Sequence, residues 1–294
     1  MTGYAEAPAS VVREAVGRAL AEDLNPLGDL TSSLLDPALV TEARFVAREA
    51  GVLAGLGCGT EAFRQVDPGV TVEWQLVDGD VVGPGDRIGV ARGSLASILT
   101  AERTALNFIG HLSGIASLTR TYVVAAASAG GNAQVWDTRK TTPGLRSLEK
   151  AAVRAGGGRN HRGNLSDWIL LKDNHITGLG IAEAVARTRD LWPGRSIHIE
   201  CDRRSQMTEA IEAGATAVLL DNMSLDEVRD CVVEAERLAA APGARRCLLE
   251  VSGGVTLDTI AAISATGVDL ISVGRITNSA PVLDVGLDIG QADG

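Results

Sequence analysis

The sequence predicts an α/β chain whose second half is a barrel, or part of one, built on parallel strands. After about residue 130 short apolar segments recur, QVWDTRK, WILLKDNH, SIHIECD, AVLLDNMS, CLLEVSGG and DLISVGR, each closing on polar residues. Amphipathic stretches, IAEAVARTRDLW, QMTEAIEAGA, LDEVRDCVVEAERLAAA and LDTIAAISATG, separate the later ones. Apolar strands alternating with amphipathic helices are the pattern of a parallel sheet, and repeats of roughly 20–30 residues suit a barrel. A doubly wound open sheet is the competing architecture. No G-x-G-x-x-G follows an early strand, which counts against a dinucleotide-binding version of it.

Ahead of that repeat the grammar differs. VVREAVGRALAEDL places Val12, Ala15, Val16, Ala19 and Leu20 at helical spacing, and NPLGD ends the helix. TEARFVAREAGVLAG and TVEWQLVDGDVVGPGDRIGVARG run apolar or alternate between Gly, Pro and Asp turns, as short antiparallel strands do. A long helix is expected from about Ser94 through LASILTAERTALNFIGHLSGIASLTRTYVVAAAS.

Composition excludes several classes. The 294 residues carry a net charge of −10, with 45% hydrophobic and 3% aromatic residues, so the core is built from Ala, Val, Leu and Ile. No apolar run reaches membrane-spanning length, and the start MTGYAEAPASVVREAV has no signal-peptide pattern, so a cytoplasmic protein without a membrane partner is expected. Cys58, Cys201, Cys231 and Cys247 form no C-x-x-C pair and read as small buried hydrophobes. The acidic balance argues against nucleic acid, which needs a broad basic face.

Basic residues nevertheless gather in one window. The chain holds three lysines, Lys140, Lys150 and Lys172, and arginine supplies the rest of its 27 basic side chains. Lysine is a compact charge on a flexible stem and arginine a rigid planar fork, so the two are not equivalent in a site. Arg139, Arg146, Arg154, Arg159, His161 and Arg162 share the window, which points to a small polyanion. At the carboxyl ends of the strands stand Asp137 to Lys140, Lys172, Glu200, Asp221, Glu250 and the turns Ser252-Gly253-Gly254 and Val273-Gly274-Arg275. Chemistry collects at such ends, and glycine turns after the last strands suit a phosphate. Gly156 to Arg162 reads as an ordered ligand loop, fixed by a buried strand from Trp168 to Lys172, with His161 a donor to a carboxylate. Asp202 and Asn222 read as caps or local partners. Arg103, on a helix before the repeat, would by itself be taken as a surface residue.

The strings DTRKTTPGLRSLEKAAVRAGGGRNHRGNLSDWILLKDNH, ERTALNFIGHLSGIAS, HIECD, LLDNMS, EVSGGV and VGRIT closely resemble the quinolinate phosphoribosyltransferase family over nearly the whole chain. The resemblance implies an N-terminal open-faced α/β sandwich (1–112), a partial α/β barrel of six or seven strands (113–278) and a tail (279–294) packing back on the first domain. It implies transfer of phosphoribosyl from phosphoribosyl pyrophosphate to quinolinate with loss of CO2, in NAD biosynthesis. It further implies Mg²⁺ as cofactor and a homodimer with shared sites, further assembly left open. Carried over, Arg139, His161, Arg162 and Lys172 meet the quinolinate carboxylates, joined by Arg103 of a neighbouring subunit. Thr138 lies among the substrate contacts, Lys140 faces pyrophosphate, Glu200 and Asp221 serve the ribose and the metal, directly or through water, and Ser252, Gly253, Gly254, Val273 and Gly274 take the 5′-phosphate. Arg275 departs from the family's usual VGALTHS, which leaves its role open. Rival readings are a Schiff-base lyase using Lys172, a non-catalytic homologue, and a nicotinate phosphoribosyltransferase.

Overall fold

The computed structural model describes residues 6–290. The chain divides into two compact units: residues up to Arg120, Lys140–Gly157 and Arg275 onward form the first, Thr121–Arg139 and Gly158–Gly274 the second. This division is discontinuous, whereas the expected domains were contiguous. It assigns Arg139 and Lys140 to different units.

The first unit opens with α1 (Ala9–Leu24), whose buried stripe is Ala15, Val16 and Leu20. The strands β1 (Val40–Ala47) and β2 (Gly51–Val52) follow, then α2 (Leu56–Val66), β3 (Thr71–Trp74), β4 (Val81–Val82) and β5 (Arg87–Ser94). The expected long helix is α3 (Leu95–Ala127). The four-stranded sheet runs β12-β1-β5-β3, antiparallel throughout, where β12 is the C-terminal strand Val285–Ile289. A β2–β4 ribbon stands apart. Helix α2 starts where Gly55 takes φ +88°, and the Asp78 carboxylate accepts the N–H groups of Gly55 and Leu56 at 3.0 and 3.1 Å. Phe45, Phe63 and Trp74 meet at ring distances of 5.8 and 4.6 Å, which sews α2 to the sheet. Burying each of the two phenylalanines contributes about 1.5–3 kcal/mol. One helical layer on one sheet is the expected open-faced sandwich.

A tight contact joins α3 to the C-terminal segment. A Cβ built on Gly114 would stand 1.9 Å from the Pro281 carbonyl oxygen and 2.9 Å from its carbon. Both atoms are backbone, so nothing nearby can rotate away. Gly114→Ala is expected to destabilise the fold by about 2–4 kcal/mol, an overpacking effect read as a lower urea midpoint with an unchanged m-value.

The second unit holds β6 (Gln134–Trp136), β7 (Ile169–Leu171), β8 (Ile197–Cys201), β9 (Ala217–Asp221), β10 (Leu248–Ser252) and β11 (Leu270–Ser272). The helix α4 (Arg146–Ala155), between β6 and β7, belongs to the first unit. Those between the later strands are α5 (Asp173–Ile176), α6 (Ile181–Leu191), α7 (Arg204–Glu212), α8 (Leu225–Ala239) and α9 (Leu257–Ser264), and α10 (Arg275–Asn278) follows β11. The strands pair in parallel in the order β6-β11-β10-β9-β8-β7. From β7 to β11 each strand lies beside its successor, and β6 follows β11, so the winding never reverses as in a doubly wound sheet. The rings of Trp136 at one edge and Trp168 at the other stand 6.3 Å apart, so the sheet curls toward closure. This is the expected partial barrel, with six strands among the described residues. Glu200, Leu219, Glu250 and Leu270 share one row across β8 to β11. Side chains alternate along a strand, so His198, Glu200, Asp221, Glu250 and Ser252 all project from one face.

Candidate functional site

The second unit gathers most of the candidate residues at the carboxyl ends of its strands. Asp137, fully buried, directly follows β6. Its Oδ1 accepts the His161 backbone N–H at 2.8 Å and its Oδ2 accepts Nδ2 of Asn160 at 2.6 Å. Arg159 exchanges backbone hydrogen bonds with this strand: its N–H donates to Val135 O at 2.8 Å, and its carbonyl accepts from Asp137 N–H at 3.0 Å. The loop from Gly158 to His161 is therefore ordered by Asp137 and β6. The expected buried strand from Trp168 to Lys172 is shorter and only half-buried, Ile169–Leu171. Thr138 and Arg139 follow Asp137, both half-buried.

His161 is 7% exposed and turns its Nε2 to Oε2 of Glu250 at 3.3 Å. The carboxylate partner expected for it thus includes one of the protein's own. The other Glu250 oxygen accepts from Ser272 Oγ at 2.5 Å, and His198 Nδ1 stands 3.9 Å from Oε2. Trp168 packs on both imidazoles, at 4.9 Å from His161 and 5.1 Å from His198. The ligand atoms of His161, His198 and Glu250 lie within 4.8 Å of one another. Because Ser272 and His161 already engage the carboxylate, we read Glu250 and His161 as a hydrogen-bonded pair with His198 packed beside it, and not as a metal centre.

Lys172 caps α5 and donates from Nζ to Glu200 Oε2 at 2.5 Å. Asp221 closes β9, and its Oδ2 accepts from Nδ2 of Asn222, whose backbone is left-handed at φ 54°. Gly253 and Gly254 have φ of +91° and +62°, a region that suits glycine. A Cβ on Gly253 would approach Asn222 Oδ1 to 2.3 Å, so glycine here also leaves room for the residue that orients Asp221. Asp202 makes local contacts: Arg203 donates to its carboxylate at 3.3 Å and Gln206 Oε1 accepts its N–H at 2.9 Å. Val273 is buried, its N–H donating to Trp136 O at 2.9 Å, with Gly274 next.

Positive charge gathers in this region. The Arg162 pKa is pulled below its ordinary value, first by burial and next by the charge of Arg139, with Glu250 opposing. A guanidinium whose charge is disfavoured by a second one is suited to an anion beside it. Burial lowers the His198 pKa to about 4, and the charges of His161 and Arg162 add to that against Glu250. Above pH 6.5 this ring is neutral folded or unfolded and adds nothing. Between 6.5 and 4 the unfolded chain takes the proton first, so folded stability falls, by up to about 3 kcal/mol. His198→Asn should flatten that part of a stability-versus-pH curve measured by urea unfolding at pH 7 and 4.5.

Three candidates fall in the first unit. Lys140 is exposed, and its carbonyl accepts Thr277 Oγ1 at 2.7 Å. Arg275 is exposed at the start of α10. Arg103 is exposed and lines a cavity of about 420 Å³ with Leu106, Asn107 and Val282–Val285. Sequence reading did not single out His198, Trp136 or Trp168, and it noted Glu250 only as a strand end. The alternation of HIE in β8, which puts His198 on the face of Glu200, is the signal that could have found the first.

Comparisons with known proteins cover almost all of the chain. Residues 29–113 match the family described as "Quinolinate phosphoribosyl transferase, N-terminal domain", and 115–288 match its "C-terminal domain". The chain is 40% identical over 264 residues to the "Probable nicotinate-nucleotide pyrophosphorylase [carboxylating]" of Bacillus subtilis (strain 168), covering 89% of this chain and 88% of that protein. It is 38% identical over 281 residues to the "Nicotinate-nucleotide pyrophosphorylase [carboxylating]" of Mycobacterium leprae (strain TN), covering 94% and 96%. The solved structure of the nicotinate-nucleotide pyrophosphorylase from Francisella tularensis superposes with a TM-score of 0.89 at 37% identity, over 97% of this chain and 98% of that one.

Proposed function

From the premise that this chain belongs to the quinolinate phosphoribosyltransferase family, we propose how its side chains serve the family's reaction. The enzyme transfers phosphoribosyl from phosphoribosyl pyrophosphate to quinolinate and gives nicotinate mononucleotide, pyrophosphate and CO2. One observation carries the assignment of its quinolinate site. Arg139 and Arg162 are held close enough for one charge to weaken the other, with His161 beside Arg162 in sequence. A dicarboxylate relieves that repulsion, and planar carboxylates suit forked guanidinium groups. Lys172 completes the set. Its Nζ donates to Glu200, a setting unlike the apolar pocket that a Schiff-base lysine needs.

The pyridine nitrogen attacks C1 of the ribose while the bond from C1 to the pyrophosphate oxygen breaks. Positive charge grows on the sugar, and the Glu200 and Asp221 carboxylates stabilise it electrostatically. Lys140, next in sequence to Arg139, takes the leaving pyrophosphate. The positive charge of the quaternised ring nitrogen then stabilises the electron pair left on the adjacent carbon when its carboxylate departs as CO2, and that pair takes up a proton. No protein nucleophile is required. Ser252, Gly253, Gly254, Val273 and Gly274 bind the 5′-phosphate through turns whose backbone can approach closely. Thr138 belongs to the same substrate contacts, and Arg275 adds charge at the phosphate end.

Glu200 and Asp221 offer two hard carboxylates from one face of neighbouring strands, a donor set that fits Mg²⁺ completed by substrate oxygens. The ion, when bound, neutralises pyrophosphate charge. The enzyme works as a homodimer in which Arg103 reaches the partner's quinolinate. An exposed arginine on α3, beside a cavity lined also by Leu106, Val282 and Leu283, supports such a role. Among the described residues no helix is long and apolar enough to cross a membrane. Four buried, unbridged cysteines fit a reducing, cytoplasmic compartment.

The test is incubation with quinolinate, phosphoribosyl pyrophosphate and Mg²⁺, with nicotinate as parallel substrate. CO2 and nicotinate mononucleotide should appear from quinolinate alone. Turnover of nicotinate without CO2, or a borohydride-trapped adduct on Lys172, would overturn the reading.

A further inference from the structure

Glu250 is the buried carboxylate around which the rings of the second unit are arranged. It is 1% exposed, and its two oxygens are divided between Ser272 Oγ and His161 Nε2. An isolated charge at such depth is costly and persists only with partners. Burial opposes ionisation of Glu250, but the hydrogen bond and charge of His161, the Ser272 hydroxyl and His198 outweigh it and hold its pKa below the usual range. The group is a carboxylate, able only to accept. The ring nitrogen facing it must therefore carry a proton.

We propose that Glu250 is the positioning residue of the quinolinate site: it holds the His161 ring by its Nε2 proton and stabilises the doubly protonated ring, so that Nδ1, on taking a proton from solvent as quinolinate binds, donates to a substrate carboxylate. The proposal rests on the reading that His161 meets quinolinate. Ser272 Oγ holds the far oxygen and leaves Oε2 to His161. Trp168 restrains the ring from its side at 4.9 Å, and Asp137 pins the backbone N–H of the same residue. Other titratable groups that act on this pair are His198, 3.9 Å from Oε2, and Arg162, on which Glu250 and Arg139 act with opposite sign. Which nitrogen of an imidazole is protonated is set by the partner of the other, and such partners tune ligand binding without touching the ligand.

Protein labelled with ¹⁵N in its histidine rings tests this, with His161 assigned against His161→Asn. In the ligand-free enzyme Nε2 should be protonated, and with quinolinate bound both nitrogens should be. Glu250→Gln should lose the doubly protonated signal and raise the KM for quinolinate about 10–100-fold. The KM for phosphoribosyl pyrophosphate should stay within about twofold, and Glu250→Asp should recover part of the loss. A wild-type spectrum with Nε2 unprotonated overturns the proposal and needs no variant to fold. Equal rises in both KM values for Glu250→Gln overturn it as well. Failure of the wild type to release CO2 from quinolinate would sink the functional reading instead, and the ligand-free spectrum would still decide whether Glu250 fixes the ring.

Discussion

Lys140→Ala is expected to lower kcat by about 10²–10³-fold, the loss that follows removal of one group aimed at charge developing in a transition state. The KM for quinolinate should change by less than about threefold, because the proposed assignment gives Lys140 no part in holding the pyridine carboxylates. Its exposed side chain stands just after Arg139 at the end of a strand–loop run. Its main chain is anchored where the Thr277 hydroxyl donates to its carbonyl. That anchor survives truncation of the side chain, so the variant should fold. A lysine ammonium is a compact point charge on a flexible stem, suited to a leaving group whose charge grows as it departs. Lys140→Arg should restore little, since a planar fork cannot follow the same path. Pre-steady-state and steady-state rates measured at saturating quinolinate would check the result. Equal losses in kcat and in quinolinate affinity would remove Lys140 from the pyrophosphate.

Much of this arrangement was legible from the chain. The six barrel strands follow the six apolar segments, because the central strands β8 to β11 are buried along most of their length and such strands leave short, nearly unbroken apolar runs. The four helices α6 to α9 lie where amphipathic stretches were expected, for the same reason of one-sided burial. Less legible were features that depend on tertiary proximity. Lys150, one of the three lysines that marked the basic window, is 5% exposed within α4, so the lysine signal mixed a buried group with the exposed Lys140 and the half-buried Lys172. The Lys172–Glu200 pair joins β7 to β8, and periodicity says nothing of which strand lies next to which. His198 and Glu250 stand on strands separated by β9, so only the curvature of the sheet could bring them to 3.9 Å. Asn222 was read as a local partner. Its left-handed backbone explains why: a short amide tolerates that conformation and turns back to hold its neighbour Asp221.

Arg162→Ala should act on the other side of the reaction and raise the KM for quinolinate by about 10–150-fold, corresponding to about 1.5–3 kcal/mol for a charged hydrogen bond. In the free enzyme the change is expected to be nearly neutral or slightly stabilising, for Arg162 is held near Arg139 and partly stripped of water. Its removal relieves that repulsion, although it also takes a favourable charge from Glu250. Stability and affinity should therefore move independently, which separates a binding role from a packing role. Arg162→Lys should recover only a fraction of the affinity, since one ammonium cannot grip a planar carboxylate with two parallel bonds. If the KM for phosphoribosyl pyrophosphate rose instead, with quinolinate unaffected, the anion between these arginines would be a phosphate, and the assignment of the two substrates to the site would have to be exchanged. Calorimetric titration of quinolinate into the wild type and both variants, beside urea unfolding of each, resolves these outcomes.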